Sequence, residues 1–222
     1  MKLPAANGQV WRQPVEDWAG ARERVANDPE WALWFNEQKA AIDDWMAHRE
    51  DRVEWVAGWW HEFISPNDSS FLIWQPEIPG EETQTLMSAT DPNVPVSPKI
   101  FRAWIVIFRA KHMSMVKNAA ILWRLTGEER YADWVESQLD FYANNLEKWP
   151  IQTRFYGPSR LFGQPLTDAS NITKLADATR LIWDRVEPDR RQFWFDKLFK
   201  PEALMLNQSM KRIHNIACWL RS

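Results

Sequence analysis

The chain has 222 residues, of which 45% are hydrophobic and 26% charged, a composition typical of a globular protein. Its formal net charge of -3 argues against binding to duplex nucleic acid, because a protein that neutralises phosphates usually carries an excess of Lys and Arg. The single cysteine excludes an internal disulfide framework and a cysteine-based zinc cluster, and we expect neither a metal nor a cofactor.

Sixteen tryptophans and seven glycines make the composition unusual. The sequence contains neither GxGxxG nor a Walker motif, so nucleotide binding by these routes is not predicted. It contains no run of about 20 apolar residues, so no membrane-spanning helix is predicted. The tryptophans allow two interpretations: large core residues of a helical protein, or the lining of a groove in which sugar rings stack.

The first half of the chain is predicted to be helical up to a proline-rich region. One amphipathic helix covers residues 14–27, and a second begins at Asp28-Pro29, an N-cap followed by proline at the first helical position. Steps of three and four residues place on one face of this second helix Trp31, Trp34, Phe35, Gln38, Ala41, Ile42 and Trp45. The proline-rich region, 58–96, is predicted to contain one or two short strands and a long loop.

Helix is predicted again from Ser97-Pro98 to about Thr126, where Gly127 can end it. This helix is apolar on most faces, which indicates burial among other helices. The next predicted helix covers about 128–147. The fold is therefore predicted to be all-α, with helix pairs closing into an (α/α) toroid; an open solenoid or an irregular bundle are the alternatives.

Three more helices are predicted towards the end of the chain. Thr167 is expected to cap a helix that ends near Val186, and Glu187-Pro188 to begin another that is broken by Pro201. Asn207 or Ser209 is expected to begin the last helix, which continues to Ser222 and indicates a truncated protein.

The last predicted helix carries an unusual polar face. Its apolar stripe is formed by Met210, Ile213, Ala217 and Leu220, and the opposite side carries the uncharged groups of His214, Asn215 and Cys218. A lone histidine is most often a structural residue. Imidazole is nevertheless the side chain best suited to move protons near neutral pH.

Three segments resemble the heparinase II/III-like polysaccharide lyases. Residues 207–222, NQSMKRIHNIACWLRS, look like the inner helix of those enzymes that carries a His and an Asn. Residues 61–82, HEFISPNDSSFLIWQPEIPGEE, resemble the short β element ahead of their main helices. Residues 160–184, RLFGQPLTDASNITKLADATRLIWD, resemble their Arg…Gly-Gln-x-Leu-x-Glu-Ala stretch, with Asp168 retaining the acid.

The resemblance implies a domain organisation and a reaction. Residues 1–222 would form the N-terminal portion of one (α/α) toroid, with the β/loop segment at 58–96 and without the later toroid helices and the β-sandwich. The family removes the C5 proton of a uronic acid and breaks the C4–O bond by β-elimination. By resemblance His214 is the base or a donor, and Asn215 neutralises the carboxylate. The catalytic tyrosine is expected beyond residue 222, so this chain alone is expected to be inactive.

A connector between two predicted helices holds the candidate substrate-binding residues Tyr156, Arg160 and Gln164. The implied partner is an anionic polysaccharide of unspecified type, and neither nucleic acid nor a membrane is expected. The family is commonly periplasmic or extracellular, whereas the N-terminus shows no apolar signal region, so the compartment stays open. The alternative function is a non-catalytic helical module that binds glycan or protein in an aromatic-lined groove.

Overall fold

The computed structural model describes residues 16–153 and 157–208, and most of them are helical. The predicted helical class is confirmed, and a small three-stranded sheet accompanies it. The helices are α1 (Trp18–Asn27), α2 (Pro29–His48), α3 (Pro98–Thr126), α4 (Glu129–Asn145), α5 (Pro165–Leu181), α6 (Pro188–Trp194) and α7 (Lys200–Gln208). Shorter helical turns are the 3₁₀ segments Trp60–Glu62, Leu146–Lys148 and Trp183–Arg185 and the π-helical turn Phe195–Phe199.

Helix α3 is the centre of the described structure, and α1, α2, α4 and α5 pack against it. It begins after Ser97, whose hydroxyl accepts the Ile100 N–H at 3.3 Å. It ends at Gly127, which adopts a left-handed conformation (φ 73°) that glycine tolerates without strain. Both predicted ends of this helix are confirmed, as is its burial on most faces.

The sheet lies in the proline-rich region and has the order β1 (Leu72–Ile73), β2 (Thr85–Ser88), β3 (Val94–Pro95), with both pairings antiparallel. One apolar residue of each strand is buried: Leu72, Leu86 and Val94. The indole N–H of Trp104 on α3 donates to the Gln75 carbonyl at 2.8 Å. The sheet therefore covers one side of α3 and needs no core of its own.

Helices α1 and α2 begin at local capping signals, although α1 is shorter than predicted. Its first residue is Trp18 because the Asp17 carboxylate accepts the Gly20 N–H at 2.8 Å. Asp28 caps α2 as predicted, accepting the Glu30 N–H at 3.0 Å.

The apolar face of α2 is only partly buried. Phe35, Ile42 and Trp45 belong to the core, whereas Trp31 and Trp34 are 43% and 49% exposed. The first turns of α2 thus lie at the edge of the described core, so only part of the predicted apolar face is buried.

Three predicted helix boundaries in the last part of the chain are wrong. Helix α5 begins at Pro165, in the favoured first position, so Thr167 lies inside its first turn and does not cap it. Helix α5 ends at Leu181, before the predicted Val186, and a 3₁₀ turn follows.

Helix also continues through the predicted break. Pro201 is the second residue of α7, and the preceding π-helical turn Phe195–Phe199 connects α6 to α7 without a break. The chain thus accommodates the missing N–H of Pro201 within a continuous helix. Asn207 lies in the last turn of α7 and does not begin a helix; Ser209 lies outside the described residues.

Two glycines allow the connector before α5 to approach α3 closely. The Gly58 N–H donates to the Arg102 carbonyl at 2.7 Å, and Gly163 packs directly on the Gly58 backbone. A Cβ at Gly163 would lie 2.7 Å from the Gly58 carbonyl carbon and closer still to its oxygen. No rotamer change can relieve a clash with backbone.

We therefore expect Gly163→Ala to lower the unfolding free energy by about 1–3 kcal/mol, the usual range for overpacking. Urea denaturation monitored by circular dichroism would measure this change. Gly80→Ala is the matched control, because nothing lies within 4 Å of an added Cβ there and only the strain of its positive φ is felt. Equal losses in the two variants would contradict the close backbone contact.

Candidate functional site

A pocket of about 510 Å³ lies between the 3₁₀ turn after α4, the connector before α5, and α7. We call it the Arg160 pocket. Its lining includes the polar side chains of Glu147, Thr153, Arg160, Glu202 and Gln208, together with several apolar residues. It therefore combines apolar walls with a few polar groups, as ligand sites usually do.

Arg160 places a positive charge at this pocket. Its backbone N–H donates to Asp168 Oδ2 at 2.8 Å, which fixes the connector against α5. Its guanidinium, which is half-buried, donates from Nη1 to the Leu146 carbonyl at 3.4 Å. Within the described residues this is its one hydrogen bond, and a guanidinium has five N–H donors, so Arg160 can bind a carboxylate of a ligand.

Asp168 is a buried anchor beneath the pocket. Its two oxygens accept the backbone N–H groups of Arg160 (2.8 Å) and Phe162 (2.7 Å). Burial and the nearby Glu202 carboxylate raise the pKa of Asp168 well above its ordinary value. The two N–H donors favour the charged form, so we assign the proton that the pair shares to Glu202. Asp168 has a structural role in shaping the connector.

Glu202 lies on α7, lines the Arg160 pocket and is only 1% exposed. Among the described residues neither of its carboxyl oxygens has a hydrogen-bond partner. Burial raises the pKa of Glu202 to about 7, and the charge of Arg160 opposes part of this rise. A group with this pKa can give or take a proton near neutral pH.

A second pocket, of about 490 Å³, adjoins the first, since Thr153 lines both. Its lining includes Lys99, Arg102 and Gln152, and the Arg102 guanidinium donates to Gln152 Oε1 at 3.2 Å. Glu62, paired with Lys99 at 3.8 Å, is its acidic residue. Two adjoining pockets with three cationic side chains can accommodate more than one unit of an anionic chain.

The structure brings together only part of the site predicted from the sequence. Arg160 lines the Arg160 pocket, and its role in substrate binding stays a prediction. Gln164 does not line it; it occupies the N-cap position of α5, where its side-chain oxygen accepts the Thr167 hydroxyl at 3.5 Å. Tyr156, His214 and Asn215 lie outside the described residues.

Glu202 was missed by sequence reasoning, although the sequence contains a signal. It shares a helical face with the buried residues Leu198, Met205 and Leu206, at spacings of three and four. An acid on an apolar stripe indicates either a buried ion pair or a functional carboxyl.

His112, another buried titratable group, is fully satisfied by structural contacts. Its Nδ1 accepts the Trp45 indole N–H at 3.0 Å, so Nε2 carries the proton and donates to Gln138 Oε1 at 2.8 Å. Burial lowers the pKa of His112, which keeps the ring neutral. It is a core residue, as are Tyr131 and Tyr142.

Comparisons with known proteins do not assign the chain to a family. No family model matches it, and no curated protein matches it either. Within residues 16–153 and 157–208, no group of three His, Cys, Asp or Glu side chains could hold a metal ion. No helix in that part of the chain is long and apolar enough to cross a membrane.

The raised pKa of Glu202 predicts a pH-dependent stability. The folded protein holds this proton more tightly than the unfolded chain, whose pKa is near 4.5. The contribution of Glu202 to the unfolding free energy therefore falls as pH rises from about 4.5 to about 7, by about 3 kcal/mol in total, and changes little above that range.

Urea denaturation near pH 5 and near pH 8 would measure this fall. Between these two pH values, the unfolding free energy of Glu202→Gln is expected to decrease by about 3 kcal/mol less than that of the wild type. Glu147→Gln is the control, because this carboxylate lines the same pocket but is exposed. Parallel pH profiles for the wild type and Glu202→Gln would contradict the assignment.

Proposed function

We propose that the chain is the N-terminal part of the (α/α) toroid of a heparinase II/III-like polysaccharide lyase. Its substrate is an anionic, uronic-acid-containing polysaccharide, which it cleaves by β-elimination. The observation that carries this proposal is the side chain of Arg160, free to bind a carboxylate at the Arg160 pocket. Arg160 also begins the 160–184 segment, one of the three that resemble the family.

The charge around the two pockets supports a polyanionic substrate. Arg160 lines one pocket, Lys99 and Arg102 line the other, and Thr153 lines both. A linear polymer with one carboxylate per sugar can pair with successive cations along such a surface. A small neutral ligand would gain nothing from this arrangement.

The chemistry assigns different tasks to different residues. His214 is proposed to take the C5 proton and Asn215 to stabilise the charge that develops on the adjoining carboxylate. Arg160 binds the carboxylate of a sugar in the pocket and so positions the chain. In the sequence, the pocket residue Gln208 precedes His214 by six positions, and Thr153 precedes Tyr156 by three.

Polysaccharide binding tests the role of Arg160. We expect Arg160→Ala to weaken binding of alginate or a heparan-type polymer about tenfold or more, because a hydrogen-bonded ion pair contributes about 1.5–3 kcal/mol. Isothermal titration calorimetry at low salt measures the dissociation constant. Lys197→Ala is the matched control. It also removes one positive charge, because Lys197 is exposed in the π-helical turn before α7, but Lys197 does not line the pocket.

The reaction itself is tested by ultraviolet absorption. β-Elimination leaves a C4=C5 double bond, which absorbs ultraviolet light, and hydrolysis or binding leaves none. Release of ultraviolet-absorbing products from a uronate polymer by the full-length lyase is the expected result. Binding of uronate polymers that is unaffected by Arg160→Ala, with no such product, would contradict the proposal.

A second candidate function is a non-catalytic glycan- or protein-binding module, favoured by an aromatic surface on α2. Trp31 and Trp34 are exposed and pack edge to face, with ring centroids 5.8 Å apart. Trp34 also borders an apolar groove of about 170 Å³ between α2 and α3. Under this alternative Trp34→Ala, and not Arg160→Ala, abolishes glycan binding, because the sugar stacks on the indole.

A further inference from the structure

The buried carboxyl of Glu202 has no contact that explains its position. We propose that Glu202 is a proton-linked binding group: as a carboxylic acid it donates a hydrogen bond to the carboxylate of a uronic acid whose other oxygen binds Arg160. This inference rests on the proposed function, which supplies a uronic acid to the Arg160 pocket. It adds a specificity-determining residue and a pH switch that the resemblance does not imply.

The geometry of the pocket supports this role. Glu202 lines the pocket together with Arg160, and both of its oxygens lack a partner among the described residues. A buried polar group without a hydrogen bond is costly, so most such groups in proteins have one. A ligand carboxylate in the pocket would supply the missing partner, whereas a neutral sugar would leave the guanidinium of Arg160 unpaired.

Asp168 cannot be the group that donates a hydrogen bond to the ligand carboxylate. Its two oxygens are occupied by the backbone N–H groups of Arg160 and Phe162, which hold the connector in place. The two carboxyls are close enough that the charge of Glu202, together with burial, raises the pKa of Asp168. The two carboxyls therefore have different roles: Asp168 shapes the pocket, and Glu202 contacts the ligand.

The other charged groups around Glu202 are few. Arg160 faces it from the connector and favours its ionised form, and Glu147 lines the pocket from the turn after α4. In the π-helical turn that packs against α7, Asp196 and Lys197 are exposed, and Asp196 pairs with the exposed Lys200, the first residue of α7, at 3.7 Å.

Protonation then controls affinity. With a proton, Glu202 donates to the ligand; without one, its negative charge repels the ligand carboxylate. Since the pKa of Glu202 lies at about 7, binding is competent below that pH and declines above it. Only the protonated fraction binds, so the apparent dissociation constant rises by the inverse of that fraction, about 30-fold at pH 8.5 relative to pH 6.

The experiment is calorimetric titration of the 222-residue chain with an alginate-derived oligouronate at about pH 6 and about pH 8.5. The wild type is expected to bind the oligouronate about 30-fold more weakly at the higher pH. Glu202→Gln, whose amide still donates, is expected to bind equally at both values. Glu147→Gln is the matched control and should keep the pH dependence of the wild type, because Glu147 is exposed at the same pocket.

A second measurement needs no variant. Titration near pH 8 in two buffers of different ionisation enthalpy should show uptake of about one proton per bound ligand. The same oligouronate with its carboxyls reduced to alcohols should show neither tight binding nor proton uptake.

Each outcome separates this inference from the proposed function. Oligouronate binding that is independent of pH, or pH dependence that persists in Glu202→Gln, overturns the role of Glu202 and leaves the lyase proposal standing. Failure of the oligouronate to bind at either pH overturns the role of Glu202 as well. The lyase proposal is judged separately, by the ultraviolet-absorbing product.

Discussion

Replacing Asp51 with asparagine is expected to lower the unfolding free energy by about 3–5 kcal/mol, because it leaves the Arg109 guanidinium buried without its counter-ion. Both side chains are fully buried. Asp51 accepts Arg109 Nε at 2.6 Å and Nη2 at 3.1 Å, and it also accepts the Tyr142 hydroxyl at 2.8 Å. No water can replace the lost charge in this interior.

Guanidinium chloride denaturation at pH 7 measures this loss. The matched control is Asp184→Asn, which breaks the pair with Arg124 at 3.0 Å; Asp184 is exposed, so the expected loss is below about 1 kcal/mol. Replacing Asp51 by Leu and Arg109 by Met together should cost less than the sum of the two single changes, because no charge is then left unpaired. Similar losses in Asp51→Asn and Asp184→Asn would contradict this account.

The Arg109 network also positions the candidate site. The same guanidinium donates to the Leu161 carbonyl at 2.5 Å and to the Trp55 carbonyl at 3.0 Å, so α3 holds both the segment that follows α2 and the connector before α5. Leu161 directly follows Arg160. Loss of Asp51 is therefore expected to weaken polysaccharide binding as well as stability.

The parts of the fold that were predicted correctly depend on local signals. Asp28-Pro29 and Ser97-Pro98 begin helices, and Gly127 ends one, because each cap is made by residues within four positions of each other. Burial of α3 was equally predictable, since its composition leaves no polar face of sufficient width.

The wrong or incomplete predictions concern features that sequence spacing alone does not determine. Pro201 was expected to break a helix, yet the π-helical turn before it and its place in the first turn of α7 allow the chain to continue. Trp31 and Trp34 were placed correctly on the apolar face of α2, but the pattern of α2 alone cannot show how far its neighbours cover that face.

The candidate site was predictable only in part, for the same reason. Arg160 was found because it lies in a recognisable segment. Glu202 acquires its chemistry from burial beside Asp168, 34 positions earlier in the chain, and spacing within α7 cannot reveal that neighbour.

If the protein is the proposed lyase, replacing His214 with alanine is expected to reduce its kcat by several orders of magnitude, since a general base alone contributes about 10²–10⁴-fold. The rate of ultraviolet-absorbing product measures the effect. His48→Ala is the control, because His48 is exposed at the end of α2 and is not among the residues that line the Arg160 pocket.

The pH profile separates a base from a structural histidine. If His214 takes the C5 proton, kcat rises with pH through an imidazole-like pKa, about 6.5 in unperturbed peptides, and this limb disappears with the side chain. Glu202 acts in the opposite direction, because its ionisation weakens substrate binding as pH rises through about 7. Together, the two groups predict a bell-shaped dependence of kcat/KM on pH. The falling limb should disappear in Glu202→Gln, and the rising limb depends on His214. An unchanged rate in His214→Ala would contradict the assigned role and favour the binding module.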